Sequence, residues 1–243
     1  MLKTLTVLLL FVQFAAAQAG QVKVAVASNF LLTMKQLADV YQQQTRQQIT
    51  ISAASSGKLF TQISHGAPYD IFFSADARRA DLIVKQGLGE NSSVYAIGQL
   101  VYIAQGVDSS ECRSSLNQTP EKKLAMANPK TAPYGLAAKQ VLVKLGRWDA
   151  LRSSIVMGEN ILQAYQFISS GGAGSGFIAA SIAVNAKNLD DYCQWLLPAN
   201  LYSPVRQKMV ILNRAKNNQA VKDFVNFIHS NAAREIIYKN GYR

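Results

Sequence analysis

From residue 22 onward the sequence repeats one unit three times: a short apolar run, a turn of small polar residues, then apolar residues at helical spacing. Val22–Ala27 is β-branched and alternating, Ser28-Asn29 interrupts it, and Met34, Leu37, Ala38 and Tyr41 recur on one helical face. Ile49–Ala54, Ser55-Ser56-Gly57 and the face Leu59, Phe60, Ile63 repeat the order, with Gly66 as the stop. Residues 70–74 and 77–87 do so a third time, ending on Gly87. Strands separated by helices must cross over to pair side by side, so consecutive units of this kind predict an α/β chain with a doubly wound, mainly parallel sheet.

The second half keeps the grammar with different punctuation. Residues 100–104 and Leu124–Ala127 read as strands, residues 131–135 as a loop, and residues 136–145 as a helix closed by Gly146. A short strand at 155–157 runs into Gly158-Glu159-Asn160, a helix follows at 161–168, and residues 177–180 form a buried strand. Val205–Leu212 is extended again, and 221–228 and 233–238 are C-terminal helices. No long Pro/Gly/Ser linker interrupts the chain, which suits two lobes joined by extended crossovers, with boundaries near residues 99 and 204.

Residues 1–19 stand apart. Lys3 precedes an apolar run at 5–14, and small residues at 15–19 offer cleavage sites after Ala17 or Ala19, the pattern of a secretory signal peptide. An exported chain without stable membrane insertion is expected, since no later stretch reaches the ~20 apolar residues of a spanning helix. The only cysteines, Cys112 and Cys193, rule against a lipid anchor near the cleavage site and are a candidate disulfide pair in an oxidising compartment. With the two histidines at 65 and 229, no metal-ligand spacing arises, so no metal is expected to be held by side chains and no cofactor is implied. The formal charge of +11 is spread along the chain with no basic run interleaved with aromatics, which argues for a solvated basic surface and against nucleic acid.

In open parallel sheets ligands lie beyond the carboxyl ends of the strands. The turns expected there, Ser28-Asn29, Ser55-Ser56-Gly57, Tyr134-Gly135 and Asn160-Ile161, contain no Asp, Arg or His. Each leaves free backbone N–H groups at a helix start, and the first three add hydroxyl or amide donors, a combination that attracts anions. Any one of these turns alone is accounted for by helix capping; the functional argument is their recurrence. Lys58 opposes the dipole of its helix and is expected to face solvent. A competing acyl-enzyme reading uses Ser55-x-x-Lys58 with Lys130-Thr131-Ala132 as an imperfect K-T-G; the chain is short for that fold and Ala132 stands where glycine is needed. Asp76 reads as a helix cap rather than a general base, and no catalytic residue is assigned.

The segments VAVASNF (24–30), ASSGKL (54–59), GAPYDIFFSAD (66–76), APYG (132–135), GENI (158–161) and GFIAAS (176–181) occur in the order found in the periplasmic molybdate-binding proteins of ABC importers, and the chain resembles that family over its whole mature length. The resemblance implies a two-lobed class II binding-protein fold hinged at two crossovers, with residues 20–98 and 205–243 in the first lobe and 99–204 in the second. It implies a monomeric periplasmic receptor that takes molybdate or tungstate in the cleft and delivers it to an inner-membrane ABC permease. It carries the ligand positions to Ser28, Asn29, Ser55, Ser56, Tyr134 and Ile161, the last two through backbone N–H groups. The chain departs from some members at Ala179, where they place a tyrosine, and Asn29 looks like the substitute donor. A receptor for sulfate or another small oxyanion is the alternative within the same fold.

Overall fold

The computed structural model describes residues 21–243; the leader expected at 1–19 lies outside the described residues. The chain opens with β1 (Val22–Ala27), α1 (Leu31–Thr45), β2 (Ile49–Ala54), α2 (Ser56–Ser64), β3 (Ile71–Ser74), α3 (Ala77–Lys85) and β4 (Gly89–Gly98). It continues through β5 (Leu100–Gln105), α4 (Cys112–Ser115), β6 (Leu124–Ala127), α5 (Pro133–Lys144), α6 (Trp148–Leu151) and β7 (Ile155–Gly158). Next come α7 (Ile161–Ser169), β8 (Ser175–Ala179), α8 (Ala180–Asn185) and β9 (Tyr192–Leu196), and then β10 (Val205–Leu212), α9 (Gln219–Ile228) and α10 (Asn231–Lys239).

The strands form two five-stranded sheets, ordered β2-β1-β3-β10-β4 and β7-β6-β8-β5-β9. In each, three neighbouring strands are parallel and the fourth runs antiparallel to both of its neighbours, β10 in the first sheet and β5 in the second. The sheets are therefore mixed rather than purely parallel, and the antiparallel member of each is the strand entered directly from the other lobe. The chain passes between sheets at Gln99 and again over residues 197–204.

Strand periodicity explains how the first sheet is covered. Val22, Val24 and Val26 face one side with Ile71 and Phe73, where they meet Leu37 of α1, Phe224 of α9 and Ile237 of α10. Ala25 and Phe72 face the other side and pack on Leu59 and Ile63 of α2 and Ile83 of α3. A strand buried on both faces is mostly apolar, and β3, buried along its whole length, reads Ile-Phe-Phe before its last residue, Ser74. The second lobe is built on one continuous cluster that includes Ile103, Met126, Val141, Phe177 and Ile178. Its edge is covalently tied: Cys112 at the start of α4 is bonded to Cys193 of β9.

Two local expectations are corrected. Residues 131–135 are not all loop: α5 starts at Pro133, whose missing N–H and fixed φ suit the first helical position. Ala180, expected as the last residue of a strand, instead starts the short helix α8.

Candidate functional site

The carboxyl ends of β1, β2 and β3 face those of β6 and β7, and the turns that follow them enclose one small cavity between the lobes. Its lining is Ala27, Ser28, Asn29, Ser55, Ser56 and Ala75 from the first lobe with Ala132, Pro133, Tyr134 and Ile161 from the second. The six site residues expected from the sequence are thus brought together, all buried. The cavity is tight, about 10 Å³, and none of its lining residues carries a formal charge.

Hydrogen bonding shows what the cavity wall has left to give. Ser56 Oγ accepts the Ala75 N–H at 2.9 Å, and Ser55 Oγ accepts the Lys58 N–H at 3.4 Å as the cap of α2. Each hydroxyl is used as an acceptor, so its single proton remains free to donate. At α7 the Asn160 side chain accepts from Leu162 and Gln163, passing over the Ile161 N–H. At α5, Pro133 has no N–H and the next donor is Tyr134. The backbone N–H groups of Ser56, Tyr134 and Ile161 have no acceptor among the described residues, as first-turn geometry requires. Three helix N-termini therefore converge on one space with unspent donors, and the hydroxyls of Ser28, Ser55 and Ser56 stand beside them.

Asn29 behaves differently from the side-chain donor expected of it. Its Nδ2 donates to Gln207 Oε1 at 2.8 Å and to Tyr242 Oη at 3.1 Å, so both amide protons are engaged away from the cavity. Its carbonyl accepts from Tyr242 Oη at 2.8 Å and, across the lobes, from Ser181 Oγ at 2.9 Å. What Asn29 presents to the cavity is its backbone N–H, which lies in the turn Ser28–Phe30 and has no acceptor among the described residues. Ala179 is buried at the end of β8 and is not part of the lining.

Behind the wall lies a polar layer that was not singled out in the sequence: Gln207, Tyr95 and Tyr242. Burial pushes the hydroxyls of Tyr95, Tyr134 and Tyr242 well above the ordinary tyrosine range, which keeps all three neutral. The signal was present in β10, where Val205, Gln207 and Met209 occupy the buried register and Gln207 is a polar residue on an inward position.

The lobes touch at the rim. Gly57 N–H donates to Thr131 O at 2.9 Å, and a Cβ at Gly57 would lie only 2.8 Å from that oxygen. Arg79, buried and ion-paired with the α3 cap Asp76, also donates to Lys130 O at 2.9 Å. Lys58 faces solvent as expected and lies 3.6 Å from Glu159 of the other lobe. That placement removes the lysine from Ser55 and disfavours the acyl-enzyme reading. His229 is paired with Ser93 Oγ at 3.2 Å, and burial lowers its pKa, with Arg234 adding to the effect. Among the described residues no group of three or more His, Cys, Asp or Glu could hold a metal ion, and no helix is long and apolar enough to cross a membrane.

Two α/β lobes, two crossovers and an inter-lobe cavity walled by opposed helix N-termini define a solute-binding protein of the two-lobed type. The chain belongs to the bacterial extracellular solute-binding protein family, whose model matches residues 22–243. It is 38% identical over 230 residues to the molybdate-binding protein ModA of Azotobacter vinelandii, covering 93% of this chain and 91% of that one. It is 36% identical over 228 residues to the molybdate-binding protein ModA of Rhodobacter capsulatus, covering 93% and 89%. The solved structure of the Azotobacter vinelandii periplasmic molybdate-binding protein superposes with a TM-score of 0.83 at 35% identity, covering 91% of this chain and 98% of that chain. Each of these relatives is named for binding molybdate.

Proposed function

We propose that this protein is the periplasmic receptor of an ABC importer, that it captures molybdate or tungstate in the inter-lobe cavity, and that it hands the anion to a membrane permease as a monomer. The observation that carries the reading is the convergence of free N–H groups of Ser56, Tyr134 and Ile161 with the hydroxyls of Ser28, Ser55 and Ser56 around a space without charged side chains. Helix N-termini supply partial positive charge where the anion sits, and a charge-assisted hydrogen bond is about twice as strong as a neutral one. Asn29 contributes through its backbone N–H, and residues 1–19 act as the export signal.

The donor set also sorts ligands. A wall of donors suits four oxygens that all accept, as in a fully deprotonated tetrahedral dianion. A protonated phosphate would bury an O–H with no acceptor, costing roughly 1–3 kcal/mol. Sulfate offers the same four acceptors and is excluded only if the cavity is cut for the larger ion, and molybdate and tungstate, nearly equal in radius, compete on even terms. The relatives named molybdate-binding support the choice of ion. Calorimetric titration of the mature chain with molybdate, tungstate, sulfate and phosphate tests it. Tight binding of the first two is expected, and tight binding of sulfate with none of molybdate contradicts the assignment.

A further inference from the structure

Gln207 belongs to β10 in the first lobe and is fully buried, yet its side chain bonds to both lobes. Its Oε1 accepts from Asn29 Nδ2 at 2.8 Å and from Tyr95 Oη at 2.9 Å, both first-lobe groups. Its Nε2 donates to Tyr134 Oη of the second lobe at 3.3 Å. Tyr134 and Asn29 are also cavity residues, and each presents a backbone N–H there while its side chain runs back to this one amide.

The place where the side chains meet is the hinge. Gly98 ends β4 immediately before the chain crosses at Gln99, and Val205 begins β10 immediately after the return crossing. A Cβ on Gly98 would collide with the Tyr134 hydroxyl and lie 2.8 Å from Gln207 Nε2, so the ring of Tyr134 reaches across the hinge into a slot that only glycine leaves open. The bonds from the first lobe to Gln207 Oε1 and the bond from Gln207 Nε2 to the second lobe form together only at one relation of the lobes, and a buried polar group left unpartnered is penalised.

We propose that Gln207 is a positioning residue for anion capture: by bonding Asn29 on one lobe and the Tyr134 hydroxyl on the other, it fixes the lobe relation at which their backbone N–H groups point at the same anion. It touches no ligand itself. Its effect is exerted through Tyr134, whose hydroxyl is the anchor and whose N–H is the donor. This inference rests on the oxyanion reading of the cavity.

The test compares the wild-type mature chain with Gln207→Leu, Tyr134→Phe and the double variant, titrated with molybdate, with release followed by rapid displacement and folding followed by thermal midpoint. Tyr134→Phe removes the anchor and keeps the backbone donor. Each single variant is expected to bind about fivefold to tenfold more weakly, the scale of one lost hydrogen bond, mainly through faster release. The double variant is expected to be no weaker than the worse single one, since the two side chains act as one contact. Gly98→Ala, which displaces the same hydroxyl from the backbone side, should reproduce the faster release. Variants with lower thermal midpoints but wild-type affinity and release rate, or losses that simply add, would overturn the inference while leaving the oxyanion reading intact. A wild-type chain that binds neither molybdate nor tungstate would remove both.

Discussion

Ser56 performs two tasks with one oxygen. Its lone pair holds the Ala75 N–H, locking the turn after β3 to the start of α2, and its proton is left for the cavity. Ser56→Ala should therefore weaken anion binding by about 1.5–3 kcal/mol, roughly 10- to 150-fold, with a smaller loss of stability of about 1 kcal/mol for the neutral bond. Calorimetry and a denaturation midpoint separate the two; a stability loss with unchanged affinity would reduce Ser56 to a structural serine. Asn29 teaches the complementary lesson. In the sequence its amide and the Ser56 hydroxyl look like equivalent donors, and only the positions of Gln207 and Tyr242, 178 and 213 residues away in the chain, show that the amide is already engaged. Spacing along a chain reports which groups sit at a helix start; it does not report which distant groups compete for them.

At the scale of elements, α2 meets the opposite lobe through Gly57, the one position in its first turn with no side chain to hold the lobes apart. Ala is the better helix former, but a Cβ at Gly57 would lie 2.8 Å from Thr131 O, so Gly57→Ala should force the lobes apart at this contact and weaken anion binding. Affinity at or above the wild-type level would show that closure does not need this contact. The disulfide acts on the other side of the ledger: replacing both Cys112 and Cys193 by Ser should lower stability by about 2–4 kcal/mol, measured by denaturant unfolding, with anion affinity retained because the bond lies at the far edge of the second sheet. The strand-turn-helix units of the first lobe were legible because β1 and β3 are buried along nearly their whole length, the edge strand β2 opens with the alternation Ile-Thr-Ile-Ser, and their helices carry clean apolar stripes. β4 and β9 escaped notice because they are half-exposed at sheet edges, and Gly-Glu-Asn-Ser-Ser or Tyr-Cys-Gln-Trp has no strong period. The antiparallel course of β5 and β10 was equally hidden, since it is decided by where the chain crosses between lobes rather than by anything within the strand.

For the whole molecule, pH acts on two unrelated places. Among the described residues the only titratable residue at the cavity is Tyr134, whose hydroxyl runs back to Gln207 and is kept neutral by burial, so affinity for a fully deprotonated dianion should be flat from about pH 6 to 8. Folding stability should not be flat. The His229 pKa in the folded protein lies below the ordinary 6.5, because burial and Arg234 disfavour its cation, so the unfolded chain binds that proton more readily. The associated stability is complete above about pH 6.5 and is lost as pH falls through the lower folded value. Thermal midpoints measured across this range should decline for the wild-type chain and decline less for His229→Gln; an identical decline would assign the effect elsewhere. The two-lobed outline could be read from the repeated units, whereas the pairing of Gly57 with Thr131 and of Gln207 with Tyr134 exists only once both lobes are in place. The most direct test of the account is a crystal structure of the mature chain grown with tungstate, whose heavy atom can be located by its anomalous scattering. The account predicts one tungsten between Ser28, Ser56, Tyr134 and Ile161, its oxygens within hydrogen-bond distance of backbone N–H and serine hydroxyl groups. A tungstate held by Arg79, Lys58 or any other cationic side chain, or bound outside this cavity, would contradict it.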